Sequence, residues 1–360
     1  MAVRVMSSPP APADGGHSLT VADYVAGVLA GNRTMLARAV TLVESSRPDH
    51  EAMAQELLTR LLPQTGRSIR VGLTGAPGAG KSAFIEALGC RLTATGHRVA
   101  VLSVDPSSVR SGGSLLGDKT RMMRLSADPN AFIRPSPSGL VLGGVARKTR
   151  ETMLVYEAAG CDVVLIETVG VGQSEVSVAD MTDYLMVLVL AGAGDELQGI
   201  KRGLLEVADM IVVTKADGEN VTRAKLAASQ YAFAMHLLHG GERQLPVVTC
   251  SALDGTGIDA IWRIITDQMS GLKRSGALEA RRTAQTVKWM WTLVDEQIRD
   301  MLRQTEAVRR VAEEAERDLR DAKLSPLRGA QAVVRALTLS GIGGPQQTNS
   351  LRSTAGRSPE

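Results

Sequence analysis

At 360 residues, 44% of them hydrophobic, the chain is long enough for a sizeable core with appendages. A formal net charge of +3 and only 3% aromatic residues argue against a nucleic-acid footprint, a polybasic membrane patch or a base-stacking surface. Cys90, Cys161 and Cys250 are widely spaced, with no Cys-x-x-Cys pair, and read as buried small apolar residues rather than a disulfide framework.

The Pro/Ala/Gly/Ser composition of residues 1–17 predicts a disordered N-terminus. It lacks a secretory apolar region, carries a single Arg, and no apolar run in the chain is long enough to span a bilayer, so the cytoplasm is the expected compartment. An N-terminal helical region is expected over 18–62. Ser18 is a candidate cap for a first helix whose apolar face holds Val21, Tyr24, Val25, Val28 and Leu29, and further helices are expected over Arg33 to Ser45 and His50 to Leu62.

From residue 63 to about 270, apolar runs alternate with helical stretches, which predicts an α/β fold with a mostly parallel sheet flanked by helices. The first run, Ile69 to Thr74, delivers Gly75, Ala76, Pro77, Gly78, Ala79, Gly80, Lys81 and Ser82, with a helix-forming stretch from Ala83. This is a complete phosphate-binding loop, the mark of a P-loop NTPase. Its backbone amides can curl around phosphates, Lys81 can reach the β- and γ-phosphates, and Ser82 can ligate magnesium.

The run Val99 to Val104 delivers Asp105, and Val163 to Ile166 delivers Glu167. Two carboxylates at strand tips beside a phosphate loop suit a hard, hydrated cation, directly or through water. Gly170 and Gly172 leave backbone amides free to approach a γ-phosphate.

The run Met210 to Thr214 continues into Lys215, Ala216 and Asp217, matching the guanine-recognition loop usually written Asn-Lys-x-Asp. The Asp217 carboxylate pairs with two guanine donors that adenine lacks, and the Lys215 stem can cover the base. Thr214 stands where the pattern has an amide, so fewer bracing hydrogen bonds are expected, with weaker affinity and base choice retained. Ser251, Ala252 and Leu253, after the run Pro246 to Val248, fit a third guanine contact made through a backbone amide.

Beyond Ser270 the chain becomes charged helix, a C-terminal helical region over 271–340. Val294, Ile298, Met301, Thr305, Val308, Ala312, Ala315 and Leu319 form a heptad seam on an expected long helix, which serves either packing within the chain or dimerisation. Residues 341–360 are expected to be a mobile tail.

The runs Val104 to Ser108, Gly112 to Met122, Ile166 to Glu175 and Ala193 to Lys201 resemble the MeaB/ArgK family of P-loop GTPases over roughly residues 20 to 335. That resemblance implies a GTP hydrolase that acts as chaperone to an adenosylcobalamin-dependent acyl-CoA mutase of the methylmalonyl-CoA type, gating cofactor loading and release and protecting the enzyme. It implies GTP/GDP and Mg2+ as cofactors, with Asp105, Asp118 and Glu167 around the cation. It further implies a switch loop that brings Gln198 and Lys201 to the nucleotide when the mutase binds, and a homodimer through the C-terminal region. A metal-insertion GTPase for nickel or zinc enzymes is the alternative, though the five His, at 17, 50, 97, 236 and 239, do not cluster as metal ligands. A kinase role, once attached to this family, is opposed by Asp217.

Overall fold

The computed structural model describes residues 19–104, 122–135, 142–168, 178–191, 202–238 and 244–342. The chain divides after Arg282 into two compact units.

Three helices lead into the first unit: α1 (Val21–Leu29), α2 (Arg33–Glu44) and α3 (Pro48–Leu61). The cap of α1 is Thr20 rather than Ser18, which lies outside the described residues. Asp23 decides this, because its carboxylate accepts from the Thr20 amide at 2.9 Å while the Thr20 hydroxyl accepts from the Asp23 amide at 3.3 Å. Asn32 caps α2 through its side-chain oxygen, and a proline opens α3. Their apolar stripes, including Val28, Leu36, Val40, Leu57 and Leu61, are buried. Leu29, expected on the same stripe, remains 46% exposed at the end of its helix.

The remainder of this unit alternates strand and helix: β1 (Ile69–Gly75), α4 (Lys81–Ala94), β2 (Val99–Val104), α5 (Met123–Ala127), β3 (Ala131–Arg134), α6 (Leu142–Ala158), β4 (Val163–Thr168), β5 (Tyr184–Leu190), α7 (Arg202–Val207), β6 (Met210–Thr214), α8 (Val221–Leu238), β7 (Val247–Thr249) and α9 (Ile258–Arg274). The strands form one seven-stranded sheet in the order β3-β2-β4-β1-β5-β6-β7, every pair parallel. Helices cover both faces, which is why β2, β4 and β6 are buried at every residue instead of alternating. One face packs Val71, Leu73, Val101 and Leu165 against Phe84, Ile85 and Leu88 of α4 and Ile258, Ile261 and Ile265 of α9. The other packs Ala100, Leu102, Val164, Ile166 and Val187 against α2, α3, α6 and α8.

The amino end of the sheet is tied by buried charges. Glu157 at the end of α6 accepts from Arg70 Nε at 2.7 Å and Nη2 at 2.8 Å, and Asp183, fully buried, accepts from Arg282 Nε at 2.8 Å and Nη2 at 2.6 Å. Rigid strand bases leave the opposite, carboxyl edge as the place where loops can carry chemistry.

The C-terminal helices are α10 (Ala277–Gln304), α11 (Glu306–Arg320) and α12 (Pro326–Leu337). The single long helix expected from the heptad seam is therefore two. Thr305 has extended backbone (φ −76°, ψ 113°), a conformation its β-branched, hydroxyl-bearing side chain favours over helix. The later part of the seam is satisfied within this unit. Val308 and Ala315 are buried, and α12 approaches through Gly329, where a Cβ would lie 3.6 Å from Leu319 Cδ1 and 3.7 Å from Ala315 Cβ. No described helix is long and apolar enough to cross a membrane.

Candidate nucleotide site

β1 is flanked by β4 and β5, and its carboxyl end opens directly into the phosphate loop. Gly75 is required there. It has φ +149°, and a Cβ at this position would lie 2.2 Å from the Leu188 carbonyl oxygen of β5, so only a bare backbone fits. Gly80 takes the left-handed conformation (φ +85°) that turns the loop into α4, whose first turn has no side-chain cap. The amides at a helix start are the natural seat of a phosphate. Lys81, 8% exposed, donates from Nζ to the Gly75 carbonyl at 2.8 Å and the Ala76 carbonyl at 3.2 Å, which lays its cation along the loop.

Ser82, the next residue of α4, donates from Oγ to Glu167 Oε1 at 3.2 Å, with Oε2 at 3.5 Å. Glu167 is 4% exposed. A buried carboxylate and a hydroxyl converging beside the phosphate loop are a hard-oxygen donor pair, the chemistry magnesium takes, so these residues fit that ion. On the other sheet face at the same level, the Thr168 hydroxyl donates to Thr74 Oγ1 at 3.1 Å, locking the tips of β4 and β1 together.

The base-recognition loop follows β6. Thr214 is buried, and its Oγ1 lies 2.7 Å from the Ala79 carbonyl and 3.1 Å from the Val189 carbonyl, bracing the phosphate loop against β6. Lys215 has φ +55°, unusual for a residue with a side chain, and Asn220 Nδ2 donates to its carbonyl at 2.8 Å. The Lys215 side chain stays exposed, free to lie over a base. Asp217 is half-buried, and its Oδ2 accepts from Ser251 Oγ at 2.7 Å.

Ser251, fully buried, is the hub of the neighbouring loop, since its Oγ also accepts from the amides of Leu253 at 3.2 Å and Asp254 at 3.4 Å. The Ser251 amide itself bonds to the Thr256 carbonyl at 3.0 Å. The Ala252 amide has no intramolecular partner among the described residues. Leu253, with its amide bonded to Ser251, leaves its side chain 86% exposed. Just before it, burial pushes the Cys250 thiol up to about 12, which keeps it an inert apolar filler.

The structure thus gathers Gly75 through Ala83, Glu167, Thr214, Lys215, Asp217, Ser251 and Ala252 along one edge of the sheet. Asp105, Asp118, Gly170, Gln198 and Lys201 lie outside the described residues. Asn220 carries no signal in the sequence, and its role shows only once the turn at Lys215 is seen. The organising role of the Ser251 hydroxyl is likewise visible only in the folded loop. A separate groove of about 770 Å³, lined by Tyr24, Arg33, Arg38, His50 and Met53, includes none of the predicted site residues.

Comparison with known proteins agrees with this geometry. The family described as methylmalonyl-CoA mutase-associated GTPase MeaB matches residues 36–307. A probable GTPase of Mycobacterium tuberculosis is 52% identical over 89% of this chain and 96% of its own length. GTPase ArgK of Escherichia coli is 49% identical over 78% of this chain and 86% of its own. The mitochondrial methylmalonic aciduria type A homolog of Mus musculus is 45% identical over 86% and 78% respectively. Among solved structures, a crystal structure described as LAO/AO transport system kinase superposes with a TM-score of 0.71 at 40% identity, covering 88% of this chain and 97% of the other. With a phosphate loop, a guanine loop and relatives this similar, the chain belongs to the MeaB family of P-loop GTPases.

Proposed function

We propose that this GTPase is the chaperone of an adenosylcobalamin-dependent acyl-CoA mutase of the methylmalonyl-CoA type. It hydrolyses GTP to GDP and phosphate to gate cofactor loading and release and to protect the mutase. The observation that carries the reading is the meeting of a phosphate loop and a guanine loop through the Thr214 to Ala79 contact, in a chain of a mutase-associated family.

In this reading Gly75 through Ala83 and Gly170 hold the phosphates, while Thr214, Lys215, Asp217, Ser251, Ala252 and Leu253 form the base pocket. Ser82 and Glu167, with Asp105 and Asp118, would hold a magnesium ion, which neutralises developing phosphate charge when bound. Lys81 contributes a fixed cation on the other side of the phosphates. Phosphoryl transfer needs positioned water and positive charge more than covalent chemistry, so intrinsic turnover is slow until Gln198 and Lys201 are supplied with the mutase. The protein acts as a homodimer.

Two experiments test the proposal. Full-length protein loaded with a non-hydrolysable GTP analogue should retain a cobalamin-dependent acyl-CoA mutase; indifference to such mutases in every nucleotide state would end the reading. Lys201→Ala should keep slow intrinsic hydrolysis and lose stimulation by the mutase, and equal stimulation of variant and parent would remove Lys201 from the mechanism.

A further inference from the structure

Ser103, the penultimate residue of β2, is 2% exposed, and its Oγ has no hydrogen-bond partner among the described residues. Buried hydroxyls are nearly always partnered, so an orphan in a well-packed strand calls for an occupant at its position.

Its surroundings identify that occupant. Along β2, Val99 and Val101 face α4 while Ala100, Leu102 and Val104 face the other core, so the alternation of a strand turns Ser103 toward α4. Along β4, Val163 and Leu165 face α4, which turns Glu167 the same way. Ser103 and Glu167 are register partners on adjacent parallel strands, about 4.8 Å apart in the pairing direction. Ser82, from the first turn of α4, already donates to Glu167 on this face. Three oxygen-bearing side chains from three different elements therefore share one corner of the site, and only Ser103 is uncommitted.

We propose that Ser103 is a positioning residue for the magnesium ion, its hydroxyl accepting a hydrogen bond from a water in the ion's coordination shell next to Glu167. The inference rests on the reading of Ser82 and Glu167 as magnesium-binding residues. Magnesium keeps several of its waters, and each needs an acceptor to fix its direction. A hydroxyl suits the task better than a second carboxylate would, because it accepts without adding charge beside Glu167.

The test uses the full chain and a fluorescent, non-hydrolysable GTP analogue, titrated with magnesium and, separately, bound in EDTA. For Ser103→Ala the magnesium concentration giving half-maximal tightening should rise about tenfold, the usual scale for losing an outer-shell partner, with affinity in EDTA unchanged. Ser103→Thr, which keeps the hydroxyl, should restore the parent midpoint. A Ser103→Ala midpoint equal to the parent's, whatever the melting temperature, would overturn the inference and leave an ordinary unsatisfied hydroxyl. An equal loss of affinity in EDTA would also overturn it, by making the role structural. A parent protein whose binding ignores magnesium would remove the underlying metal assignment, and Ser103 with it.

Discussion

The Thr214 hydroxyl lies 2.7 Å from the Ala79 carbonyl, joining the end of β6 to the phosphate loop across 135 residues of sequence. It also lies 3.1 Å from the Val189 carbonyl, and a hydroxyl has one proton to share between the two. An amide at this position would offer two protons, so Thr214 provides the same brace at reduced strength. Thr214→Val keeps shape and removes the donor. It should weaken GDP and GTP binding about fivefold, the worth of one net hydrogen bond, with guanine still preferred over adenine. Competition of unlabelled GDP and ADP against a fluorescent GDP measures both quantities, and a lost preference would show that Thr214 reads the base.

In the proposed base pocket Asp217 makes the base choice, and Ser251 donates to its carboxylate at 2.7 Å. Asp217→Asn replaces an acceptor by a donor. It should cost GDP affinity on the order of tenfold to a hundredfold and shift preference toward xanthine nucleotides, whose ring presents an acceptor at the matching position. Ser251→Ala leaves the acceptor in place but loosens it and frees the amides of Leu253 and Asp254, so GDP should bind about fivefold more weakly with guanine preference intact. A Ser251→Ala protein that no longer distinguished GDP from XDP would move the specificity role from Asp217 to the loop.

The phosphate loop was legible in the sequence because a cradle of backbone amides is built by local residues. The brace at Thr214 was not, since its partner is a carbonyl in another element. Ser103 reads as one more residue in an apolar strand, and only the register with Glu167 gives its hydroxyl a context. Ser18 and Thr20 are both candidate caps by residue type, and Asp23 makes Thr20 the reciprocal partner. The heptad pattern continued through Thr305 because periodicity records which face is apolar and not whether the backbone stays helical.

Glu157 carries a pH dependence of stability. Burial raises its carboxyl, but the two hydrogen bonds and the charge of Arg70, with Ser68 and the Gly66 amide, outweigh that and hold it below the ordinary glutamate value. A depressed native value means the stabilisation is complete above the unfolded value of about 4.3 and is lost as pH falls through the lower, native one. Glu157→Gln leaves the largely buried Arg70 unpaired and should cost about 3 kcal/mol near neutral pH. The gap in melting temperature between variant and parent should close as pH drops below about 4. A gap that stayed constant from neutral pH to acid, followed by circular dichroism, would separate the pair from the acid response.

Homodimerisation is expected to use α10 alone. The α11 part of the seam is covered by α12 through Gly329, but Val287, Trp291 and Ile298, with Val294 and Met301 between and beyond, step by four and three along α10. Trp291 is 60% exposed, Val287 49% and Ile298 40%, a stripe of large apolar side chains that monomeric surfaces rarely leave bare. Trp291→Asp combined with Ile298→Asp places two charges on that stripe without touching buried side chains. Sedimentation velocity should then show a monomer with unchanged helix content and unchanged GDP binding. Val308→Asp, in contrast, puts a charge into a position 1% exposed and should unfold the α11–α12 pair instead of dissociating the dimer. If the α10 variant sediments as the parent dimer does, the interface lies elsewhere, and a parent that sediments as a monomer rejects the dimer itself.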